Sequence, residues 1–240
     1  MGFKDLFRPK WQHSNPDVRK FGISEITDQG LLAEIAKTDE SLSVGQAAVE
    51  KLSDQRLLAE VVESSQSMYV REAAIEKLED QSILAEIARN RHQYSGERTT
   101  ALRKLKDQQL IADLAKSDKD EHVRAAATRI LENEALVADI AQTDDAVNVR
   151  VRAIEKLCDL AETKKIELWR TVLTYTEPFL DGTIALLLGD GDYLDPNLNI
   201  HFDHMSWLWL CKGKALRALG KEQEARAAFH MALECDQRKR

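Results

Sequence analysis

The stretch Asp54-Gln55-Arg56-Leu57-Leu58-Ala59-Glu60-Val61-Val62, followed eight residues later by Val70-Arg71-Glu72-Ala73-Ala74-Ile75-Glu76-Lys77-Leu78, decides the fold because the chain rewrites it. Asp-Gln stands at Asp28, Asp54, Asp80 and Asp107, and Asn133 and Asp159 continue the column, at spacings of 26, 26, 27, 26 and 26 residues. The first half returns as Leu31 to Ala36, Ile83 to Ala88, Leu110 to Ala115 and Leu136 to Ala141. The second half returns as Val44 to Leu52, Glu97 to Leu105, Val123 to Leu131 and Val149 to Leu157, and Val18 to Ile26 is a further copy that opens the series. Self-similarity at a fixed period marks a repeat architecture.

Each half predicts a short amphipathic helix. Leu31, Leu32 and Ile35 place apolar groups at i, i+1 and i+4, and Ala74, Ile75 and Leu78 do the same in the second half. A lone helix this short is marginal in water, because nucleation is costly and few hydrogen bonds follow it. A single helical pair cannot cover its own apolar stripe, so neighbouring pairs must stack. The alanine column Ala48, Ala74, Ala101, Ala127 and Ala153 predicts close helix approach, and the column Leu52, Leu78, Leu105, Leu131 and Leu157 predicts the filling between repeats.

These units resemble short HEAT-like repeats of the phycobilin-lyase or bacterial type. The resemblance rests on the Val-Arg pair opening the second helix, the Ala-Ala-Ile/Val-x-x-Leu after it, and the turn acids Asp39, Asp118 and Asp144. It spans residues 16–159 and implies an all-α fold, a right-handed α-solenoid of helical hairpins. It is specific for architecture and carries little about role.

From Trp209 the pattern changes. Trp209, Gly213, Leu216, Gly220, Ala225, Phe229 and Ala232 sit at the spacing of one tetratricopeptide (TPR) repeat, which that part of the chain resembles. Small Gly213 and Ala225 let two helices touch, Trp209, Leu216 and Phe229 supply bulk, and Gly220 ends the first helix. Lys212 stands where that family usually has Leu, and Gln237 where it has Pro, which suggests a closing repeat. The expected organisation is an N-terminal cap at 1–15, HEAT-like repeats at 16–159, a capping helix and connecting loop at 160–205, and the TPR hairpin at 206–239. Ile166, Leu168, Trp169, Val172 and Leu173 predict the capping helix, and Gly189 to Asp192 with Asp195-Pro196-Asn197 predict the loop.

Composition narrows the function classes. The charge is -7, with 41 acidic and 34 basic side chains, so long-range attraction to polyanions is not the default. Cys158, Cys211 and Cys235 share no metal-ligand spacing and predict reduced core thiols. No run approaches the roughly 18 apolar residues of a membrane span. Met1 to Arg8 lacks a signal-peptide pattern, and Leu6 breaks the myristoylation motif that Gly2 suggests. The expectation is a cytoplasmic protein.

The candidate sites lie on the repeats. The arginine column Arg19, Arg71, Arg98, Arg124 and Arg150, interrupted by Gly45, is expected to be a structural ladder in which each guanidinium meets a turn aspartate. The acids Glu34, Glu60, Glu86, Asp113 and Asp139 are expected on the solvated face of the first helices. The third full repeat carries an extra residue and gathers Arg89, Arg91, Arg98, Arg103, Lys104 and Lys106 against Glu97, with His92 and Tyr94 in its enlarged turn. Its candidate partner-binding residues are Arg91, His92, Arg98, Arg103 and Lys104. His201, Asp203 and His204, and Asp190, Asp192 and Asp195, lack the further ligands of a zinc or calcium site and are expected to be a helix start and a polar turn. No nucleophile elbow, phosphate-binding glycine loop or Cys/Ser–His motif is present, so no catalytic residue, metal or cofactor is assigned.

The expected function is therefore a non-enzymatic scaffold that binds a protein or peptide along the inner face formed by the second helices. Two alternatives come with the repeat type, a nucleic-acid-binding protein and a bilin lyase or its accessory factor. The acidic balance and the few aromatics in 16–159 argue against the first. Homo-oligomerisation through Trp207, Trp209 and Phe229 is a further expectation.

Overall fold

The computed structural model of the chain describes residues 8–91, 93–164, 170–177, 180 and 202–237, and of 163, 164, 202–204, 236 and 237 only the backbone. Among these residues every regular element is helical, so the described part of the protein is all-α. It divides into two compact units, residues 1–106 and 107–240.

In the first unit a 3-10 turn, Lys10–Gln12, precedes α1 (Pro16–Ile23), α2 (Gln29–Thr38), α3 (Leu42–Lys51), α4 (Gln55–Ser64), α5 (Met68–Lys77), α6 (Gln81–Arg89) and α7 (Ser95–Lys104). The helices pair as α2–α3, α4–α5 and α6–α7. The second helices α1, α3, α5 and α7 pack side by side in that order, and the first helices α2 and α4 do likewise. The second unit repeats the pairing with α8 (Gln108–Ser117) on α9 (Glu121–Ile130) and α10 (Glu134–Thr143) on α11 (Val147–Lys164). Residues 170–177 are helical, and a closing hairpin joins Phe202–Ala218 to Glu222–Gln237.

Local chemistry sets the helix starts. The carboxylates of Asp28, Asp54, Asp80 and Asp107 each accept from the backbone amides two and three residues on, and Asn133 caps Leu136. Such a cap stabilises a helix by about 1 kcal/mol. The glutamine after each aspartate works on the next repeat. Gln29 Oε1 accepts from the Ser53 amide at 2.8 Å, Gln55 Oε1 from Glu79 at 2.7 Å, Gln81 Oε1 from Lys106 at 3.0 Å, and Gln108 Oε1 from Glu132 at 3.0 Å. The recurring Asp-Gln dipeptide thus starts one helix and ties down the loop that follows the next.

The core follows the two columns. Ala48, Ala74, Ala101, Ala127 and Ala153 are fully buried, as are Leu32, Leu58, Leu84, Ile111 and Val137. Leu52, Leu78, Leu105 and Leu131 are also buried, but each is the extended residue that ends a second helix rather than a member of it. Leu157 differs. α11 continues through it and through Asp159 to Lys164, so no helix starts at Asp159 and none ends at the expected 159/160 boundary. The reason is apolar periodicity: Ile154, Leu157, Cys158 and Ala161 keep one buried stripe running, and Leu160 replaces the glutamine.

In the closing hairpin, a Cβ on Gly213 would lie 2.5 Å from the Phe229 ring, so the two helices meet through that bare backbone. Gly220 has φ +79, and the Lys221 amide reaches back to the Leu216 carbonyl at 2.8 Å, a left-handed helix stop suited to glycine. Lys212 sits 5.4 Å from the Trp209 ring centre and 3.7 Å from Glu177. Trp209 is buried within this unit, and Trp207 and Phe229 are half-buried.

Candidate functional site

The arginine column is held by backbone on one side and by an acid on the other. Nη1 of Arg19 donates to the carbonyls of His13 and Ser14 at 3.0 and 3.1 Å, and Nη1 of Arg150 to those of Asp144 and Asp145 at 2.7 and 3.0 Å. Nη1 of Arg124 reaches Asp118 at 2.8 Å and Nη1 of Arg71 reaches Ser65 at 2.7 Å. These carbonyls end the preceding turn, where a cation meets the negative end of the first helix. On the other side Nε and Nη2 of Arg19 grip Asp39 at 2.8 and 2.9 Å, and those of Arg124 grip Asp144 at 2.8 and 3.0 Å. A planar fork matched to a carboxylate is the geometry in which arginine exceeds lysine.

The electrostatics follow. Hydrogen bonds to Asp39 and Asp144 hold the Arg19 and Arg124 guanidiniums above their ordinary range, against the opposing effect of burial. Burial pushes the Asp39 carboxyl up, but the Arg19 hydrogen bond, the Ser41 amide and the Arg19 charge outweigh it and leave Asp39 below the usual carboxylate value.

Arg71 finds a different acid. Twenty residues on stands Arg91, not an aspartate, and Arg71 Nε donates instead to Glu97 Oε1 at 2.6 Å, with the Tyr94 ring centre 5.5 Å from its guanidinium. Glu97 occupies the column filled elsewhere by Val18, Val44, Val70, Val123 and Val149, and it is 2 % exposed. The sequence signal was an acid in a valine column.

The basic third repeat does not present all its charge to solvent. Arg98 is buried at 3 % exposure and donates Nε to the Ala88 carbonyl at 2.9 Å. The Lys104 ammonium lies on the carbonyls of Ile75 and Glu76. Lys51 on Ile23, Ser24 and Ile26, and Lys77 on Glu50 and Leu52, repeat that contact in the earlier pairs. Both side chains therefore make contacts within the fold, Arg98 from a buried position and Lys104 from a half-buried one. Arg91 and Arg103 remain exposed, Arg103 3.4 Å from Glu76 and 3.2 Å from Thr100. His92 lies outside the described residues, as do Trp169, Gly189 to Asp192, Asp195 and His201 and the side chains of Asp203, His204 and Gln237. The acids Glu34, Glu60, Glu86, Asp113 and Asp139 are all exposed.

Arg103 is brought instead into a shallow groove of 530 Å³ across the second helices. Gln46 of α3, Tyr69, Glu72 and Glu76 of α5, and Thr99 and Arg103 of α7 line it. Tyr69 is 55 % exposed, an aromatic ring offered to solvent beside two carboxylates and a guanidinium. Such a surface combines apolar area with polar groups of both signs. Searches for similar proteins among family descriptions, curated proteins and solved structures find no match to this chain.

Proposed function

We propose that the chain is a right-handed α-solenoid of HEAT-like hairpins closed by one TPR hairpin, and that it acts as a cytoplasmic, non-enzymatic scaffold for a protein or peptide. The groove across α3, α5 and α7 is the observation that carries this reading. Its wall is made of one helix from each of three successive pairs, so its length grows with the stack and suits an extended ligand. Tyr69 supplies an aromatic anchor, and Glu72, Glu76 and Arg103 supply polar contacts that fix the register of a bound segment.

The side-chain inventory disfavours a polyanion. Arg19, Arg71, Arg98, Arg124, Lys51, Lys77 and Lys104 all make internal contacts, so these seven cations are already engaged by the chain's own carbonyls and acids. The test is capture from the native host with the wild-type chain and with Tyr69→Ala/Arg103→Glu, after circular dichroism has shown both equally folded. A partner retained by the wild type and lost by the variant supports the scaffold. Equal recovery of every captured protein by both chains refutes the assignment to this groove.

A further inference from the structure

Gly45 stands where the neighbouring repeats carry the ladder arginine. Nη1 of Arg19 donates to the carbonyls six and five residues earlier, His13 and Ser14, as Arg150 does to Asp144 and Asp145, and Nη1 of Arg71 donates to the carbonyl six residues earlier, Ser65. For position 45 the matching carbonyls belong to Asp39 and Glu40, and among the described residues no donor reaches either. Twenty residues on, where Arg19 meets Asp39 and Arg124 meets Asp144, stands Ser65, buried, with Oγ 3.4 Å from the Ala36 carbonyl. Arginine and its acid are therefore both missing from the same interface.

The same interface holds an open cleft. Between the turns at 37–40 and 64–67 it measures 730 Å³, whereas the equivalent cleft beside Arg124, between the turns at 115–118 and 143–145, measures 430 Å³. Its mouth is acidic. Glu34, Asp39 and Glu40 line it, and of these Asp39 is held by Arg19 and Glu34 lies 3.3 Å from Lys37, which leaves Glu40 as the lining acid without an ion pair among the described residues.

We propose that this cleft receives the guanidinium of an arginine side chain from a partner polypeptide. The guest sits on the Asp39 and Glu40 carbonyls, as the chain's own arginines sit on theirs, with the Ser65 hydroxyl at its far edge and Glu40 supplying the charge. Serine is the residue this requires. A buried aspartate at 65 would be a costly unpaired charge whenever the cleft was free, whereas a hydroxyl tolerates both states. The planar fork favours arginine over lysine, as at the homologous place where Arg19 spans the His13 and Ser14 carbonyls on one side and Asp39 on the other. This site lies on the turns, not on the second-helix groove, and stands whether or not that groove holds a peptide.

The test titrates the isotope-labelled full-length chain with an acetylated, amidated Gly-Gly-Arg-Gly-Gly peptide and with its lysine and citrulline counterparts, read by amide chemical shifts. Saturable shifts confined to residues 38–41 and 65–67, weakened about tenfold for neutral citrulline, are the expected result. Gly45→Arg should fill the cleft from within, raise Tm and abolish the shifts. A Cβ at 45 comes 3.0 Å from Val70 Cγ2, so Glu40→Lys serves as a second variant that places a competing cation at the mouth and should also abolish them. Absent shifts, shifts confined to Gln46, Tyr69 and Thr99, equal response to citrulline, or binding that survives Glu40→Lys would each overturn the proposal.

Discussion

Arg124 and Asp144, twenty residues apart in sequence, are joined by two parallel hydrogen bonds of 2.8 and 3.0 Å, and Arg19 and Asp39 repeat that pairing at the same separation. The bridge runs from a second helix to the turn of the next pair, so it reports on the stacking of neighbouring repeats and not on either helix alone. Removing one partner strands the other in a largely buried place, since the Asp144 side chain is 7 % exposed. Arg124→Met is expected to cost about 2–4 kcal/mol in urea denaturation. Arg103→Met, at an exposed pair, is expected to stay within about 0.5 kcal/mol.

Acid should weaken the Arg19–Asp39 bridge in a defined window. The Asp39 carboxyl titrates below its ordinary value in the folded chain, so its stabilisation is complete above the unfolded value of about 3.9. It is lost as pH falls through the lower, folded value. The stability gap between wild type and Asp39→Asn should therefore be constant from pH 7 to about pH 5 and narrow below pH 4. Urea denaturation across that range measures it, and a gap that widens on acidification contradicts the pairing.

Arg71 and Glu97 make the chain's exception, and a double-mutant cycle isolates it. Glu97→Val restores the residue that other repeats carry but leaves Arg71 without its acid, and Arg71→Met leaves a buried carboxylate whose Oε2 already has no hydrogen-bond partner among the described residues. Each single change should destabilise. The double change should cost less than their sum by about 1–3 kcal/mol. Strict additivity would show that the 2.6 Å contact does not act in solution.

These exceptions mark the limit of what could be read in advance. Asp28, Asp54, Asp80 and Asp107 announce helix starts because a cap is satisfied within three residues, and the all-α arrangement of pairs follows from that spacing. The destination of a long charged side chain is not local. Lys104 and Arg98 look like surface charge in the sequence, yet one head group ends on carbonyls 28 and 29 residues away and the other is buried beside Ala88. Glu97, read as their counter-charge, faces Arg71 instead. The groove residues Gln46, Tyr69 and Thr99 belong to no shared motif, and only the side-by-side packing of α3, α5 and α7 brings them together.

The closing hairpin offers a test in which two glycines are required for different reasons. Gly213 has no room: an added Cβ would lie 2.5, 2.6 and 2.9 Å from three atoms of the Phe229 ring, so Gly213→Ala must push the ring or the helices apart. Gly220 has room, with nothing within 4 Å of its Cβ position, but its φ of +79 is strained for any L side chain. Gly213→Ala should lose about 1–3 kcal/mol, despite alanine's better helix propensity. A companion Phe229→Leu change should restore part of that loss by removing the ring. Gly220→Ala should lose about 1 kcal/mol and gain nothing from Phe229→Leu, because its cost is conformational. Thermal denaturation of the four variants separates the two. If Phe229→Leu rescues neither glycine change, the helices do not touch at Gly213, and the hairpin geometry is wrong.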